Sequence, residues 1–301
     1  MAANATPPEP APAGAPLAII CGGGAFPLAV AEAAERGGRQ VVMLGLKGFA
    51  DSRIERWPHL WIPLGRFGAV TAELRRRGCR DIVFIGTALR PRLSDIRLDW
   101  KTLRLMPQVA RLMRGGDDHL LSGVARLFER EGFRLLGAHE VAPDLLLPAG
   151  RLGTLAPTPA DERDIAIGFR ALAAMSPHDV GQGLVVIDGH IVAVEAAEGT
   201  DLMLARVVEL RLNGRLKVRK GAGVLVKRPK AGQDRRLDLP SLGPRTVEGV
   251  ARAGLAGLAM EAGGVIVTDI EGTVRAADTA RLFVVGIDGT AAAPADAGPG
   301  A

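Results

Sequence analysis

Short apolar runs alternate with helical patterns through the first half of the chain, and this alternation constrains the fold more than any other feature. The strand-like runs are Leu17–Cys21, Gln40–Leu44, Leu60–Pro63 and Asp81–Ile85, and the helical patterns between them are Phe26–Arg36 and Phe67–Arg77. Strands that alternate with helices usually form parallel β-α units. We therefore predict an α/β fold in which an N-terminal, Rossmann-like domain carries a doubly wound parallel sheet.

A proline-rich segment, Pro143–Pro159, divides the chain, because prolines interrupt both helices and strands. We predict an N-terminal nucleotide-binding domain at residues 17–147, a linker at 148–158 and a second, C-terminal α/β domain at 159–290. Within the second domain, the alanine- and glycine-rich stretch Val247–Met260 is predicted to be a helix. Residues 1–16 and 291–301 are predicted to be disordered tails, because both are rich in proline and alanine.

Charge and composition limit the classes of partner. The formal net charge of +5 favours an anionic partner. Nucleic acid is not expected, because aromatic residues make up only 4% of the chain and tyrosine is absent, which leaves little surface for base stacking.

Cys21 and Cys79 lie in apolar surroundings and are predicted to be reduced thiols of a cytoplasmic protein. No apolar run reaches the ~18 residues of a membrane-spanning helix.

The segment Val226–Thr246 is the strongest candidate for a binding loop. It is rich in lysine and arginine, contains Asp234 and Asp238, and is interrupted by prolines and glycines. Cations beside carboxylates suit a polyphosphate with a metal ion, since lysine and arginine bind oxyanions and aspartate binds Mg²⁺ or a water. On this interpretation Lys227 and Lys230 contact the substrate. The residues alone allow a solvated basic loop equally well.

A glycine turn follows the first predicted strand. Gly22, Gly23 and Gly24 resemble the start of a dinucleotide-binding motif, but the last glycine of that motif is missing and no acidic residue ends the second strand. A nicotinamide enzyme is therefore not expected. The turn is either a cradle of backbone amides for a phosphate or nucleotide, or a tight turn needed only for packing. On the first interpretation Gly22, Gly23, Gly24, Ala25 and, after the fourth strand, Thr87 bind substrate.

Carboxylates gather at a predicted strand-to-helix corner in the C-terminal domain. Glu195, Glu198 and Asp201 lie close in sequence to Thr200, a residue type that often caps helices. These carboxylates either balance the charge of the cationic loop or belong to a magnesium site, and Thr200 is a candidate substrate contact. Gln182 is a further candidate, because the glycines on both sides of it allow close approach to a ligand.

Several short motifs occur in the same order in one known family. They are GGGAFPL (Gly22–Leu28), RGGDD (Arg114–Asp118), GAHEV (Gly137–Val141), RLG (Arg151–Gly153), GQG (Gly181–Gly183), VEAAEGTD (Val194–Asp201), RLDLPSLGPRT (Arg236–Thr246) and RAGLAGLA (Arg252–Ala259). In their order they resemble the LpxI-type UDP-2,3-diacylglucosamine pyrophosphatases of lipid A synthesis, and the resemblance runs from about Leu17 to Ile287.

The resemblance implies Mg²⁺-dependent hydrolysis of the pyrophosphate in UDP-2,3-diacylglucosamine, which yields 2,3-diacylglucosamine 1-phosphate (lipid X) and UMP. It also implies that the C-terminal domain is catalytic and that the essential aspartate of the family falls on Asp238. Asp238 is expected either to hold the metal or to take a proton from the attacking water. The metal-ligand candidates are Asp238, Glu198 and Asp201.

Two alternatives remain. One is another nucleotide-sugar phosphohydrolase or a transferase, and the other is a non-catalytic binder of lipid phosphates. The positive charge and the lipid substrate predict loose attachment to an anionic membrane surface. The expected location is therefore cytoplasmic, with the protein peripheral on the inner face of the bacterial inner membrane.

Overall fold

The chain divides into two compact units in a computed structural model, which describes residue 12 and residues 14–86, 99–112, 117–178 and 180–289. The first unit comprises Met1–Asp144 together with Asp234–Asp238, and the second comprises Leu145–Gln233 and Leu239–Ala301. Asp238 therefore belongs to the first unit, although it lies within the predicted C-terminal domain at residues 159–290.

The first unit is built on a five-stranded parallel sheet. Its strands are β1 (Leu17–Cys21), β2 (Val41–Leu46), β3 (His59–Ile62), β4 (Asp81–Ile85) and β5 (Arg134–Leu135), and its helices are α1 (Phe26–Arg36), α2 (Phe67–Arg76), α3 (Trp100–Leu112), α4 (Asp117–Arg130) and α5 (Ala138–Val141). The strand order is β3-β2-β1-β4-β5, and every residue of the central β1 is buried. A continuous apolar run is typical of a parallel strand covered on both faces. The predicted Rossmann-like sheet is confirmed.

Aromatic side chains fill the core of this unit. Phe128 of α4 packs edge-to-face against Phe67 and Phe84, with ring centroids 4.8 and 5.4 Å apart. The same buried cluster includes Leu237 of the Asp234–Asp238 segment, which is only 9% exposed. Apolar burial, the main stabilising force of a protein core, therefore fixes this segment in the first unit.

The second unit contains a six-stranded sheet and a separate two-stranded sheet. Its strands are β6 (Gly150–Leu152), β7 (Gly183–Ile187), β8 (His190–Val194), β9 (Val224–Lys227), β10 (Ser241–Leu242), β11 (Gly257–Glu261), β12 (Ile266–Val267) and β13 (Phe283–Ile287), and its helices are α6 (Pro159–Met175), α7 (Gly199–Leu212), α8 (Pro244–Arg252) and α9 (Ile270–Ala280). The large sheet has the order β6-β13-β11-β9-β7-β8, with β9, β11 and β13 parallel and β6, β7 and β8 antiparallel to their neighbours. The predicted second α/β domain is confirmed.

The helix predicted over Val247–Met260 is wrong. Helix α8 ends at Arg252, and the stretch from Gly257 forms β11. Gly254 has a φ of +66°, a left-handed conformation that commonly ends a helix. All of β11 is buried between β9 and β13, and a Cβ at Gly257 would clash with Phe283. A short apolar run fits a buried strand as well as a buried helix, so its composition alone misleads.

Part of the predicted linker at residues 148–158 is built into the second unit. Strand β6 lies within it and pairs with β13, where Leu152 is the register partner of Val284. Of the predicted tails, only residue 12 and residues 14–16 fall within the described part of the chain. In the described residues, no helix combines the length and the apolar character needed to cross a membrane.

Candidate functional site

The Asp234–Asp238 segment forms a tight turn in the first unit. The N–H groups of Leu237 and Asp238 both donate to the carbonyl oxygen of Asp234, at N···O distances of 2.9 and 3.4 Å. Leu237 is buried, and Asp238 is partly buried. The predicted catalytic carboxylate therefore comes directly after an apolar anchor, and a close-packed core restricts the movement of its backbone.

Arg236 ties this turn to two carboxylates. Its Nε and Nη2 donate to Oδ1 and Oδ2 of Asp234 at 3.0 and 2.7 Å, and its Nη1 donates to Glu129 Oε1 at 3.0 Å. The hydrogen bond from Arg236 is the main reason that the pKa of Asp234 lies below its usual value, although partial burial opposes it. The same bond raises the pKa of Arg236 above its usual value. This arginine holds the turn in place.

The GAHEV motif of the first unit packs against the same turn. A Cβ at Gly137 would lie 3.2 Å from the Cα atom of Arg236, so only glycine fits there without a shift. The Gly137 N–H donates to Glu140 Oε2 at 2.6 Å, which caps α5. His139 Nδ1 is buried and has no hydrogen-bond partner among the described residues. The motif therefore has a packing role around the Asp238 turn.

The predicted amide cradle lies at the carboxyl end of β1. The segment Gly22–Ala25 connects β1 to α1, and no side chain caps the N-terminus of that helix. Free N–H groups at a helix start attract anions. Strands β1 and β4 adjoin where the strand order reverses, which is the usual ligand position in such sheets.

Close packing also shapes this turn. A Cβ at Gly86, just after β4, would lie 2.7 Å from the carbonyl oxygen of Gly23. The turn therefore needs glycine for packing, and the Gly22 N–H donates to the carbonyl oxygen of Ile85 at 2.9 Å. The packing interpretation is supported, and the amide cradle stays a prediction. Thr87, the next candidate along the chain, lies outside the described residues.

Charged residues of the second unit gather at one edge of its large sheet. Lys227 ends β9 and pairs in register with Gly183 at the start of the antiparallel β7 and with Met260 of β11. Glu195 follows β8, which is antiparallel to β7 and so ends at the same edge. The carboxyl ends of parallel strands are the usual ligand position in open α/β sheets.

Lys227 is buried at this edge and hydrogen bonded. Only 6% of the residue is exposed. Its Nζ donates to Thr200 Oγ1 at 2.8 Å, and that hydroxyl donates to Glu195 Oε1 at 2.9 Å. The structure thus brings together two predicted substrate contacts, Lys227 and Thr200, and adds Glu195. Thr200 does not cap α7 as predicted, because Glu198 occupies the cap position and Thr200 lies inside the helix.

Gln182 is held by the loop that follows β9. Its Nε2 donates to Gln233 Oε1 at 3.2 Å, and its carbonyl oxygen accepts from the Arg228 N–H at 3.0 Å. The N–H of Lys230 donates to the same Gln233 oxygen at 3.3 Å. The Arg228 guanidinium lies 3.3 Å from the buried carboxylate of Glu261. Gln182 and Lys230, both predicted contacts, therefore share one hydrogen-bonded loop.

The predicted acidic ligands Glu198 and Asp201 are each paired with an arginine. Glu198 Oε1 lies 3.0 Å from Arg206 Nη2, although the contact is not aligned as a hydrogen bond, and Asp201 Oδ2 lies 2.8 Å from Arg245 Nη2. Across the described ranges, no group of three or more His, Cys, Asp or Glu side chains is arranged to hold a metal ion. Asp201 thus pairs with a cation of the Val226–Thr246 loop, whereas Glu198 pairs with an arginine of its own helix α7, and a role of either carboxylate in a magnesium site stays a prediction.

Comparison with known proteins adds to this geometry. The family model described as the LpxI N-terminal domain matches residues 16–145, and that described as the LpxI C-terminal domain matches residues 148–285. The chain belongs to the LpxI family. It is also similar to the UDP-2,3-diacylglucosamine pyrophosphatase LpxI of Caulobacter vibrioides, with 42% identity over 272 residues, which cover 90% of this chain and 97% of that protein.

Glu195 is predicted from the sequence only as one of the three carboxylates at the acidic corner, and not as the partner of Lys227 and Thr200. Lys227 directly follows the buried run GVLV, and a lysine in that position needs a polar partner, because lysine is rarely buried without one. The nearby acidic corner, VEAAEGTD, offers three carboxylates. Nothing in the spacing shows which of the three turns inward.

Replacing Arg236 by glutamine should raise the pKa of Asp234 towards its ordinary value of 3.8, because the strongest influence that lowers it is removed. A lowered pKa in the folded state stabilises the protein above about pH 4, and this contribution is lost as the pH falls through the folded-state pKa. The difference in unfolding free energy between wild type and variant should therefore be largest near pH 7 and shrink below about pH 4. Carboxyl NMR titration and urea unfolding measure the two effects.

The matched control is Arg275→Gln, which breaks an exposed pair with Glu271 on α9. It should leave the pKa of Asp234 unchanged. If Arg236→Gln also left that pKa unchanged, the arginine would not be what holds the turn.

Proposed function

We propose that this protein hydrolyses the pyrophosphate of UDP-2,3-diacylglucosamine to give 2,3-diacylglucosamine 1-phosphate and UMP, a step of lipid A biosynthesis. The observation that carries this proposal is the 42% identity to an enzyme named for that substrate, over 97% of its length. Matches to both domain models of the family support it. Asp238, on a turn anchored by the buried Leu237, is the candidate catalytic residue for this reaction.

The substrate explains why the chain needs both cations and a carboxylate. A pyrophosphate is doubly negative and repels hydroxide, so positive groups that meet its oxygens lower the barrier to attack by water. Lys227, Lys230, Gln182 and Thr200 are proposed to contact the substrate. Gly22–Ala25 and Thr87 are proposed to bind the nucleotide or its phosphates.

Asp238 is proposed as the catalytic carboxylate. A carboxylate beside a phosphorus centre either coordinates a metal ion or accepts a proton from the attacking water. Its position after the buried Leu237 suits both roles, because catalysis requires a group whose backbone is held in place. Asp234, three residues earlier than Leu237, is engaged with Arg236 and is not assigned this role.

Mg²⁺ is the proposed cofactor. Such an ion is commonly held by one or two carboxylates together with substrate phosphates, so a phosphate-borne ion does not require a cluster of protein carboxylates. Asp238 is the proposed ligand, and the other two candidates, Glu198 and Asp201, each lie beside an arginine. When bound, the ion would supply charge neutralisation and polarise a phosphoryl oxygen.

Purified protein supplied with UDP-2,3-diacylglucosamine and Mg²⁺ should release UMP and the lipid 1-phosphate in equal amounts, and a chelator should stop the release. Separation of the nucleotides by chromatography measures this directly. UDP release would indicate glycosyl transfer or cleavage at the sugar, and no release by folded protein that binds the lipid would indicate a non-catalytic binder. Either result would contradict the proposed function. UDP-N-acetylglucosamine, which lacks ester-linked and long acyl chains, serves as the control substrate.

We also propose that the protein attaches loosely to the cytoplasmic face of the inner membrane. Its net charge of +5 and its diacylated substrate support this location. Attraction to anionic lipids is screened as the Debye length falls from ~10 Å at 0.1 M salt to ~3 Å at 1 M.

Vesicles with phosphatidylglycerol should therefore carry the protein down on centrifugation at low salt and release it at high salt. Vesicles of neutral phosphatidylcholine are the matched control and should carry little. Equal binding to both vesicles, or full retention at high salt, would show that charge does not govern attachment.

A further inference from the structure

The buried contact between Lys227 and Glu195 is not closed as a structural ion pair would be. The exposed fractions of the two side chains are only 7% and 13%, yet Nζ lies 4.0 Å from Oε2 of Glu195. Charge-assisted N–H···O bonds are usually about 2.7–2.9 Å long. The Thr200 hydroxyl instead stands between the charges, at 2.8 Å from the ammonium and 2.9 Å from Glu195 Oε1.

This arrangement leaves hydrogen-bonding capacity at the site. Glu195 Oε2 is buried and has no hydrogen-bond partner among the described residues. An ammonium group carries three N–H donors, and one of those of Lys227 is directed to Thr200. A pair that served stability alone would close this gap, because an unpaired buried carboxylate oxygen costs free energy. Thr200 therefore binds the ammonium through one of its donors, at the carboxyl end of β9, where ligands of α/β sheets usually bind.

The glycines of the GQG motif make room for Glu195. A Cβ at Gly183 would lie 2.6 Å from Glu195 Oε2, and a Cβ at Gly181 would clash with the Glu195 backbone. The Gly181 N–H also donates to the Glu195 carbonyl oxygen at 3.0 Å. The Glu195 N–H donates to the Gly183 carbonyl oxygen at 2.9 Å. The two glycines of the motif therefore leave space for the Glu195 side chain and hold its backbone by hydrogen bonds.

The geometry points to Glu195 as a positioning residue: through Thr200 it orients the ammonium of Lys227 towards a phosphate of the substrate. The carboxylate does not itself touch the phosphate. Its charge and its hydrogen bond to Thr200 fix which way the lysine presents its remaining donors. This inference rests on the proposed pyrophosphate substrate, and it adds Glu195, Gly181 and Gly183 to the residues that the reaction needs.

Steady-state kinetics with UDP-2,3-diacylglucosamine tests the inference in a set of single variants of the full chain. Glu195→Gln should lower kcat/KM about tenfold, mostly through kcat, because a phosphate contact gains strength in the transition state. Thr200→Val should have a similar effect, whereas Thr200→Ser keeps the hydroxyl and should retain most of the activity. Glu209→Gln, on the exposed part of α7, is the matched control and should match wild type.

A double-mutant cycle tests the role of the glycine. Gly183→Ala should lower kcat/KM about as much as Glu195→Gln, because the new methyl group displaces the carboxylate. In a Glu195→Ala background the same Gly183→Ala change should have little further effect, since its clash partner is gone. Additive losses would show that the glycine acts independently of Glu195.

Folding and catalysis are separated by counting folded molecules in each preparation by circular dichroism and thermal melting. If Glu195→Gln and Thr200→Val kept wild-type kcat and KM per folded molecule, the network would be structural and the inference would be overturned. Failure of Thr200→Ser to retain activity above Thr200→Val would overturn it as well. If wild type released no UMP, the proposed function would fall first and this inference with it.

Discussion

The placement of Asp238 depends on the burial of the residue before it. Leu237 lies in the aromatic-lined core of the first unit, and the turn that contains both residues is closed by hydrogen bonds to the Asp234 carbonyl oxygen. Arg236 adds a fork of hydrogen bonds to Asp234 and a further bond to Glu129. An exposed loop would leave a carboxylate free to sample many positions, and each misplaced position would cost catalytic efficiency. Here apolar burial and charge pairing restrict the backbone that leads into the carboxylate.

The second unit uses a different device at the edge of its own sheet. Strand β7 is antiparallel to β9, and β8 is antiparallel to β7. The start of β7 therefore lies beside the ends of β8 and β9 at one edge of the sheet. This topology brings Gly183, Glu195 and Lys227 together although they are distant in sequence. A buried cation at such an edge is costly without partners, and the hydroxyl of Thr200 and the carboxylate of Glu195 offset that cost.

Much of the fold is predictable because the pattern of apolar residues and the positions of turn residues mark the same strands and helices that the structure contains. Leu17–Cys21 and Asp81–Ile85 are strands at the predicted bounds, since buried parallel strands have an unbroken apolar pattern. Gly257–Glu261 was mistaken for part of a helix, because small apolar residues suit both structures and only its neighbours β9 and β13 decide between them. The strand at Gly150–Leu152 has only three residues, of which the first two are exposed, so its sequence predicts a linker more simply than a strand.

The site is less predictable than the fold, because side-chain partners depend on tertiary contacts. The sequence of the cationic loop does not show which of its cations meet a ligand and which meet other side chains: Arg236 binds Asp234 and Glu129, and Arg228 pairs with Glu261. The acidic corner allows either charge balance or a metal site from its sequence, and its spacing does not show that Glu198 and Asp201 lie beside arginines while Glu195 binds Thr200. Residue type and spacing identify the right segments, but they do not show which side chain in a segment points to which partner.

The most direct test of the account is single-turnover hydrolysis of UDP-2,3-diacylglucosamine by Asp238→Asn, with lipid binding measured on the same preparation. The variant keeps the size of the side chain and removes its charge, so the account predicts near-normal binding and at least about a hundredfold slower UMP release. Asp188→Asn, in the exposed turn between β7 and β8, is the matched control and should keep wild-type rates. Wild-type rates in folded Asp238→Asn would contradict the account.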